Sequence, residues 1–228
     1  MRIMGYSFDL AAVLDQWPAL LAGSIVTLKI TILSISIGMA VGCIGAYQLV
    51  YSPRIINWAW TAYVEVIRNT PLLAQIFLIF FGLPELGVRL DPDVAAVLAL
   101  SLNFGAYAAE IVRAGIRSIP RGQIEAASAL ALTRRQTFIH VVLRPALAAV
   151  YPAIVAQCVL VLLGSAVISA ISADDLSSAA AVLQSQTFRP FEVYIVATVI
   201  YGVLGLGVQM LLGTVIGRTF KWKATGDR

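Results

Sequence analysis

The chain has 228 residues, of which 60% are hydrophobic and only 12% are charged, and its formal net charge is +4 at pH 7. Soluble domains carry about twice that share of charged residues, so the composition excludes a water-soluble enzyme with a single core. Apolar residues are too plentiful for a disordered chain, and a small positive charge in so apolar a chain is typical of loops at an anionic membrane face rather than of nucleic-acid binding.

Five stretches are long and apolar enough to cross a membrane, which takes about 20 residues in a helix. They cover residues 17–47, 58–83, 94–115, 146–171 and 191–217. We therefore expect an all-α integral membrane protein in which residues 1–228 form one transmembrane domain of five helices. Asp9 and Asp15 stand where a cleavable signal would carry basic residues, so the first stretch is expected to remain in the mature protein.

Lysine and arginine gather in alternate loops, and cytoplasmic loops collect these residues. One set of loops contains Arg54, the arginines between Arg117 and Arg144, Lys221 and Lys223. This asymmetry predicts an N-terminus outside and a C-terminus in the cytoplasm. The opposite loops are acidic around Asp91, Asp93, Asp174 and Asp175. These acids are either a docking surface for a partner outside or residues that collect there because only basic residues are excluded.

The first stretch carries Gly38 and Gly42 four positions apart, and the last repeats the spacing at Gly213 and Gly217. Small residues at this spacing let two helix backbones approach closely, although glycine is also simply frequent in membrane helices. Each pair is therefore a candidate contact face.

The second stretch contains charged side chains, which are costly at membrane depth unless they are paired or face water. Glu65 and Arg68 are one helical turn apart and can pair on one face. They are either a structural pair near the inner boundary or part of a route for a polar substrate. Pro71 follows Asn69 and Thr70 and leaves free carbonyls, which are tolerated only where protein or a cavity covers them. Uncharged candidates for the same route are Asn103, Gln157 and Ser165.

Residues 116–145 form the only internal loop that is long enough to have structure of its own. Pro120 suits the first turn of a helix, and Thr133 with Gln136 has the form of a capping box for a second helix. We therefore expect a helix, a break near Leu132 and another helix. The first of these helices presents Glu125 beside a smooth alanine surface, which suits either a groove on another protein or, with the flanking arginines, the surface of anionic lipid.

The sequence carries no motif for catalysis, nucleotide binding or metal binding. No stretch reads GxxxxGK followed by Ser or Thr, so the chain has no phosphate cradle and is not expected to hydrolyse ATP. His140 is the only histidine, and Cys43 and Cys158 lie in separate apolar runs. These positions predict neither a metal site nor a catalytic triad. We expect a chain that is not an enzyme and binds no cofactor of its own.

The segment Glu125-Ala126-Ala127, followed by Leu143-Arg144-Pro145, resembles the EAA signature of bacterial ABC importer permeases. The resemblance extends over most of the chain and is closest to the permeases for histidine, arginine, glutamine and opines. Its other matching stretches are residues 65–72, 80–84, 106–123 and 184–194. Two positions depart from the pattern. Ala131 stands where the family usually has glycine, so we expect the turn there to be made by other means such as a Thr133 cap, and Arg144 separates a leucine and a proline that are usually adjacent.

The resemblance implies a permease subunit of an ATP-driven importer, which carries polar amino acids across the bacterial inner membrane by alternating access. It implies a coupling helix between the third and fourth spans that docks onto a cytoplasmic dimer of ABC ATPases, where ATP and Mg are bound. It also implies a second permease subunit, identical or homologous, and a solute-binding protein outside. The expected coupling residues are Gly122, Glu125, Ala126, Ala127, Ala131 and Arg134. The expected pathway residues are Glu65, Arg68, Asn69, Thr70, Asn103, Gln157 and Ser165.

Two other classes of function stay open. In an ion-coupled secondary transporter, Glu65 and Lys29 would carry the coupling charge. In a noncatalytic scaffold, the basic loop would recruit a soluble protein to the membrane. A copurifying ATPase favours the importer, whereas dependence on a proton or sodium gradient favours the secondary transporter.

Overall fold

The structure is a computed structural model that describes residues 8–219, with side chains to residue 215. Within these residues it contains helices and turns and no strand. A helical turn at Ala11–Leu14 precedes eight helices, of which the fifth and seventh are short. They are α1 (Trp17–Tyr51), α2 (Arg54–Arg68), α3 (Leu72–Glu85), α4 (Pro92–Arg117), α5 (Arg121–Ala129), α6 (Arg134–Ile171), α7 (Leu176–Thr187) and α8 (Pro190–Thr219). Lys221 and Lys223 lie outside the described residues.

All five predicted spans fall in helices. The helices α1, α4, α6 and α8 are each long and apolar enough to cross a membrane, and α2 with α3 makes a fifth span if the bent pair counts as one. The predicted span over residues 58–83 is not one straight helix, because α2 and α3 meet at an angle of 111°, and the break falls where Pro71 was expected to interrupt the backbone hydrogen bonds. Pro71 causes the break, since it has no N–H to continue the helix and holds an extended backbone, with ψ at 137°.

The fourth predicted span begins earlier than expected, at Arg134 rather than near residue 146. The predicted capping box is confirmed: Thr133 N–H donates to Gln136 Oε1 at 2.9 Å, and Gln136 N–H donates to Thr133 Oγ1 at 3.3 Å. A wider π-helical segment at Thr137–Leu143 then carries the chain to Pro145. This segment accommodates a proline whose ring would clash with the carbonyl four residues earlier in a regular helix.

The helices α1 and α4 pack through glycines, which confirms the first predicted contact face. A Cβ atom on Gly38 would lie 2.7 Å from the carbonyl oxygen of Ser101, and one on Gly42 would lie 2.5 Å from the Cβ of Ala108. Both distances are too short for any side chain, so only glycine allows the two backbones this approach. Gly213 is different, because a Cβ there would meet nothing within 4 Å among the described residues.

Asp175 is fully buried, so it is not part of an acidic docking surface. Its carboxylate caps α7 by accepting from Ser178 N–H at 2.9 Å, and it also accepts from the Tyr201 hydroxyl at 3.2 Å. Burial raises the pKa of the Asp175 carboxyl, and the hydrogen bond from Ser178 opposes that rise. The neighbouring Leu176 N–H donates to Thr27 Oγ1 at 3.1 Å, so α7 is held between α1 and α8.

Candidate functional site

A polar cavity opens where the break between α2 and α3 faces α4 and α6. Its volume is about 230 Å³. Three of the predicted pathway residues, Thr70, Asn103 and Gln157, line it from three different elements. The remaining lining residues are Leu72, Leu100, Tyr107, Leu160 and Val161. The fold therefore brings together side chains that the sequence placed in separate spans.

The side chain of Gln75 donates hydrogen bonds to backbone carbonyls at the proline break. The carbonyl of Ile67 would normally accept from the N–H four residues later, but that residue is Pro71. Gln75 Nε2 takes this place and donates to the Ile67 oxygen at 2.8 Å. The same nitrogen lies 3.1 Å from the Thr70 carbonyl oxygen and 2.9 Å from Thr70 Oγ1. The free carbonyls expected at this depth are thus covered by a protein side chain rather than by lipid.

The other end of Gln75 reaches a pathway residue. Its Oε1 accepts from Asn103 Nδ2 at 2.9 Å, so one side chain ties the break to α4. Gln75 is only 8% exposed. We did not predict this residue from the sequence. A glutamine four positions after a proline, inside an otherwise apolar helix, is the signal that could have identified it.

Glu65 and Arg68 do not form the predicted ion pair. Among the described residues, the carboxylate of Glu65 instead accepts from Asn69 Nδ2 at 3.1 Å. The guanidinium of Arg68 lies over the ring of Tyr107, 5.3 Å from its centroid. Glu65, Arg68 and Asn69 are exposed and do not line the cavity, although Arg68 contacts Tyr107, which does.

Ser165 also lies away from the cavity. It is fully buried, and its hydroxyl donates to the Leu162 carbonyl at 2.7 Å, where the end of α6 tightens into a 3₁₀ turn. By contrast, Glu110 and Arg113, which are one helical turn apart near the end of α4, form an ion pair with 2.7 Å between their charged atoms.

The cavity is neutral. Its polar lining consists of a hydroxyl, two amides and a phenol, which offer hydrogen bonds without a fixed charge. Within the part of the chain that the structure describes, no group of His, Cys, Asp or Glu side chains is arranged to hold a metal ion. The arrangement can bind and orient a polar solute, and it contains no nucleophile paired with a base.

The predicted coupling helix is α5, and its two faces differ. Ala127 is 3% exposed and Ile124 packs against the core, so both point into the protein. Gly122, Glu125 and Ala126 lie on the exposed face. Ala127 therefore packs α5 against the rest of its own chain and is not exposed for contact with another protein.

The turn after α5 keeps the geometry that glycine usually provides. Ala131 has φ at 55°, in the left-handed region. Its N–H donates to the Ser128 oxygen at 3.0 Å, and the N–H of Leu132 donates to the Ala127 oxygen at 3.1 Å. This pair of bonds is a Schellman motif. The expectation that the turn is made by other means is wrong, since Thr133 begins the next helix and Ala131 makes the turn. Arg134 is exposed at the first position of that helix.

Aromatic rings join the loop to the first span. The ring of Phe138, near the start of α6, lies 4.8 Å from the ring of Tyr47 and 5.8 Å from that of Tyr51. Through this contact the start of α6, against which α5 packs, is joined to the end of α1.

Comparison with known families matches residues 34–221 to the model described as "binding-protein-dependent transport system inner membrane component". Among curated relatives, the arginine transport system permease protein ArtQ of Bacillus subtilis is 36% identical over 94% of this chain and 98% of its own length. The glutamine transport system permease protein GlnP of Escherichia coli is 31% identical over 90% of this chain and 94% of its own. The nopaline transport system permease protein NocM of Agrobacterium fabrum is 35% identical over 85% of this chain and 84% of its own.

Solved structures show the same fold. A crystal structure of an amino acid ABC transporter with histidines aligns with a TM-score of 0.84 at 37% identity, covering 93% of this chain and all of that one. The MetNI methionine ABC transporter, in an inward-facing conformation, aligns with a TM-score of 0.73 over 89% of this chain and 96% of that one. At 22% identity, the second likeness concerns the fold alone.

Proposed function

The chain belongs to the family of binding-protein-dependent transport system inner membrane components, and from that premise we propose that it is the permease subunit of an ATP-driven importer for polar amino acids. The observation that carries the proposal is the 36% identity to an arginine permease over nearly the whole of both chains. The substrate class is drawn from relatives named for arginine, glutamine and nopaline. The site of action is the bacterial inner membrane.

Energy comes from a separate ABC ATPase dimer, which binds ATP and Mg. The chain itself has no phosphate-binding loop, and α5 offers an exposed face on which Glu125 stands beside small side chains. In this proposal Gly122, Glu125, Ala126 and Arg134 contact the ATPase. Ala127 supports these contacts by packing α5 against its own chain, and Ala131 supports them by making the turn that ends α5.

The substrate route passes the cavity lined by Thr70, Asn103 and Gln157. At about 230 Å³ this cavity is smaller than the roughly 300–1,000 Å³ of most small-molecule sites. A second permease subunit, identical or homologous, would supply the facing wall and keep the polar route away from lipid. Alternating access then exposes the route first to one side of the membrane and then to the other.

The N-terminus lies outside, as the loop arginines indicate. A solute-binding protein delivers substrate to that side, and the exposed Asp91 and Asp174 remain candidates for its contact surface. The ion-coupled alternative gains no support, because the relatives and solved structures above are components of ABC transporters or transport-system permeases. Lys29, which would carry charge in that alternative, is exposed on α1 and does not line the cavity.

Purification of the assembly tests this proposal. The tagged chain, expressed in its native host, should copurify with an ATPase and with a second permease subunit. Mass analysis should detect both, together with a bound polar amino acid. A chain that purifies without any ATPase under conditions that preserve its fold would contradict the proposal.

A further inference from the structure

The hydrogen bonds of Gln75 leave its amide one orientation. Carbonyl oxygens only accept hydrogen bonds, and two of them, on Ile67 and Thr70, lie within 3.1 Å of the same end of the side chain. That end must therefore be the NH₂ group. The opposite end, which faces Asn103, must be the oxygen, because a flipped amide would place oxygen against oxygen at both carbonyls.

Asn103 is oriented in turn by Gln75. Since the Gln75 oxygen can only accept, Asn103 must present its NH₂ group to it, at 2.9 Å. The Asn103 Oδ1 then has no hydrogen-bond partner within the described part of the chain, although the residue lines the cavity. This oxygen is left as an acceptor for a solute.

Thr70 follows the same logic. Its hydroxyl hydrogen is engaged, because Oγ1 donates to the Val66 carbonyl at 2.8 Å and accepts from Gln75 at 2.9 Å. Thr70 thus has no donor to offer to the cavity. Gln75 thus fixes which end of the Asn103 amide faces it, and the Val66 carbonyl takes the hydroxyl hydrogen of Thr70, although Gln75 itself does not line the cavity.

We propose that Gln75 is a positioning residue that holds the amide of Asn103 with its oxygen toward the substrate route, so that this wall receives the hydrogen-bond donors of the solute. The donors of an amino acid are its ammonium group and, in arginine or glutamine, the side-chain N–H groups. This inference rests on the proposed transport function. It adds that recognition at this wall depends on a residue the substrate does not touch.

A double-mutant cycle tests the proposal in vesicles that contain the whole assembly with its ATPase and binding protein. The variants are Gln75→Met, Asn103→Ala and the double variant, and the readout is ATP-driven uptake of labelled arginine and labelled glutamine per assembled complex. Methionine keeps the length of glutamine but has no N–H. Gln48→Met is the matched control, because Gln48 lies near the end of α1, away from the cavity, where it accepts from Ser52.

Gln75→Met and Asn103→Ala should each reduce maximal uptake by about tenfold, the scale expected for loss of one hydrogen bond to a charged group. The double variant should be no worse than the poorer single variant, since Gln75 acts through Asn103. The control should stay within twofold of wild type. Losses that multiply in the double variant, or a Gln75→Met uptake close to wild type, would overturn the proposal.

Two further outcomes are informative. If Gln75→Met does not assemble, Gln75→Leu replaces it in the cycle. Failure of both to assemble while Gln48→Met assembles would assign Gln75 to the fold alone and overturn its positioning role. Absence of amino acid uptake by the wild-type assembly would instead contradict the proposed function itself.

Discussion

Replacing Ala131 with glycine should stabilise the turn that ends α5, the proposed coupling helix. Ala131 has φ at 55°, and its N–H and that of Leu132 close the turn onto the last residues of α5. A left-handed backbone costs an L-residue about 1–2 kcal/mol, because its Cβ crowds the following carbonyl. Glycine has no Cβ and escapes that cost.

The net stabilisation of the turn by glycine is smaller than the strain energy that glycine relieves. Glycine gives the unfolded chain more freedom, which offsets about 0.4–1 kcal/mol. The difference is a local stabilisation of about 0.5–1 kcal/mol, or about a two- to fivefold shift in the opening equilibrium of the turn. Because the strain is confined to one residue, the effect should also be confined to this turn.

Hydrogen exchange of the purified assembly measures this effect directly. The Leu132 amide, which donates to the Ala127 carbonyl at 3.1 Å, should exchange about two- to fivefold more slowly in Ala131→Gly than in wild type. Ala129→Gly is the matched control and should not slow this exchange, because Ala129 ends α5 with a helical backbone and glycine relieves no strain there. Equal or faster exchange at Leu132 in Ala131→Gly would refute the assignment of strain to this turn.

Three other experiments test separate parts of the account. Glu125→Lys should abolish copurification of the ATPase without changing the melting temperature, because the side chain is exposed; an unchanged complex would contradict the role of α5. Gly42→Ala should lower the stability by about 1–3 kcal/mol, because its Cβ would lie 2.5 Å from that of Ala108, whereas Gly207→Ala, with nothing within 4 Å, should be tolerated. Thermal unfolding of both variants decides this point, and equal melting temperatures would count against tight packing of α1 on α4. Burial raises the pKa of Asp175, so the unfolded state ionises first and wild-type stability should fall as the pH rises from about 4 toward the raised value. Asp175→Asn keeps an oxygen that caps α7 and should remove this dependence, which melting temperatures across that pH range would reveal; an unaltered slope would show that another group causes it.

Features that depend on local chemistry could be predicted from the sequence. Long apolar stretches identify membrane helices because each must satisfy its own backbone in lipid. The capping box of Thr133 and Gln136 is a contact between residues three positions apart, and the helix start follows from it. The contact face at Gly38 and Gly42 follows in the same way from spacing on one helix.

Features that depend on a distant element could not be predicted in this way. The one-turn spacing of Glu65 and Arg68 permits an ion pair, yet Tyr107 of another helix supplies a different partner for Arg68. Burial of Asp175 depends on α1 and α8 closing around it. Proline at position 71 predicted free carbonyls but not the glutamine that covers them, because only the fold sets the angle at which α3 returns.

The central claim is that this chain moves solute only when a separate ATPase acts on α5. Transport into vesicles with and without the ATPase tests it most directly. The binding protein and labelled arginine or glutamine are placed on the side of the vesicle membrane that the N-terminus faces. ATP is supplied on the opposite side, which carries the loop arginines. We predict uptake that requires both the ATPase and ATP and that is indifferent to proton and sodium gradients. Uptake at full rate in vesicles lacking the ATPase, driven by either gradient, would contradict the account.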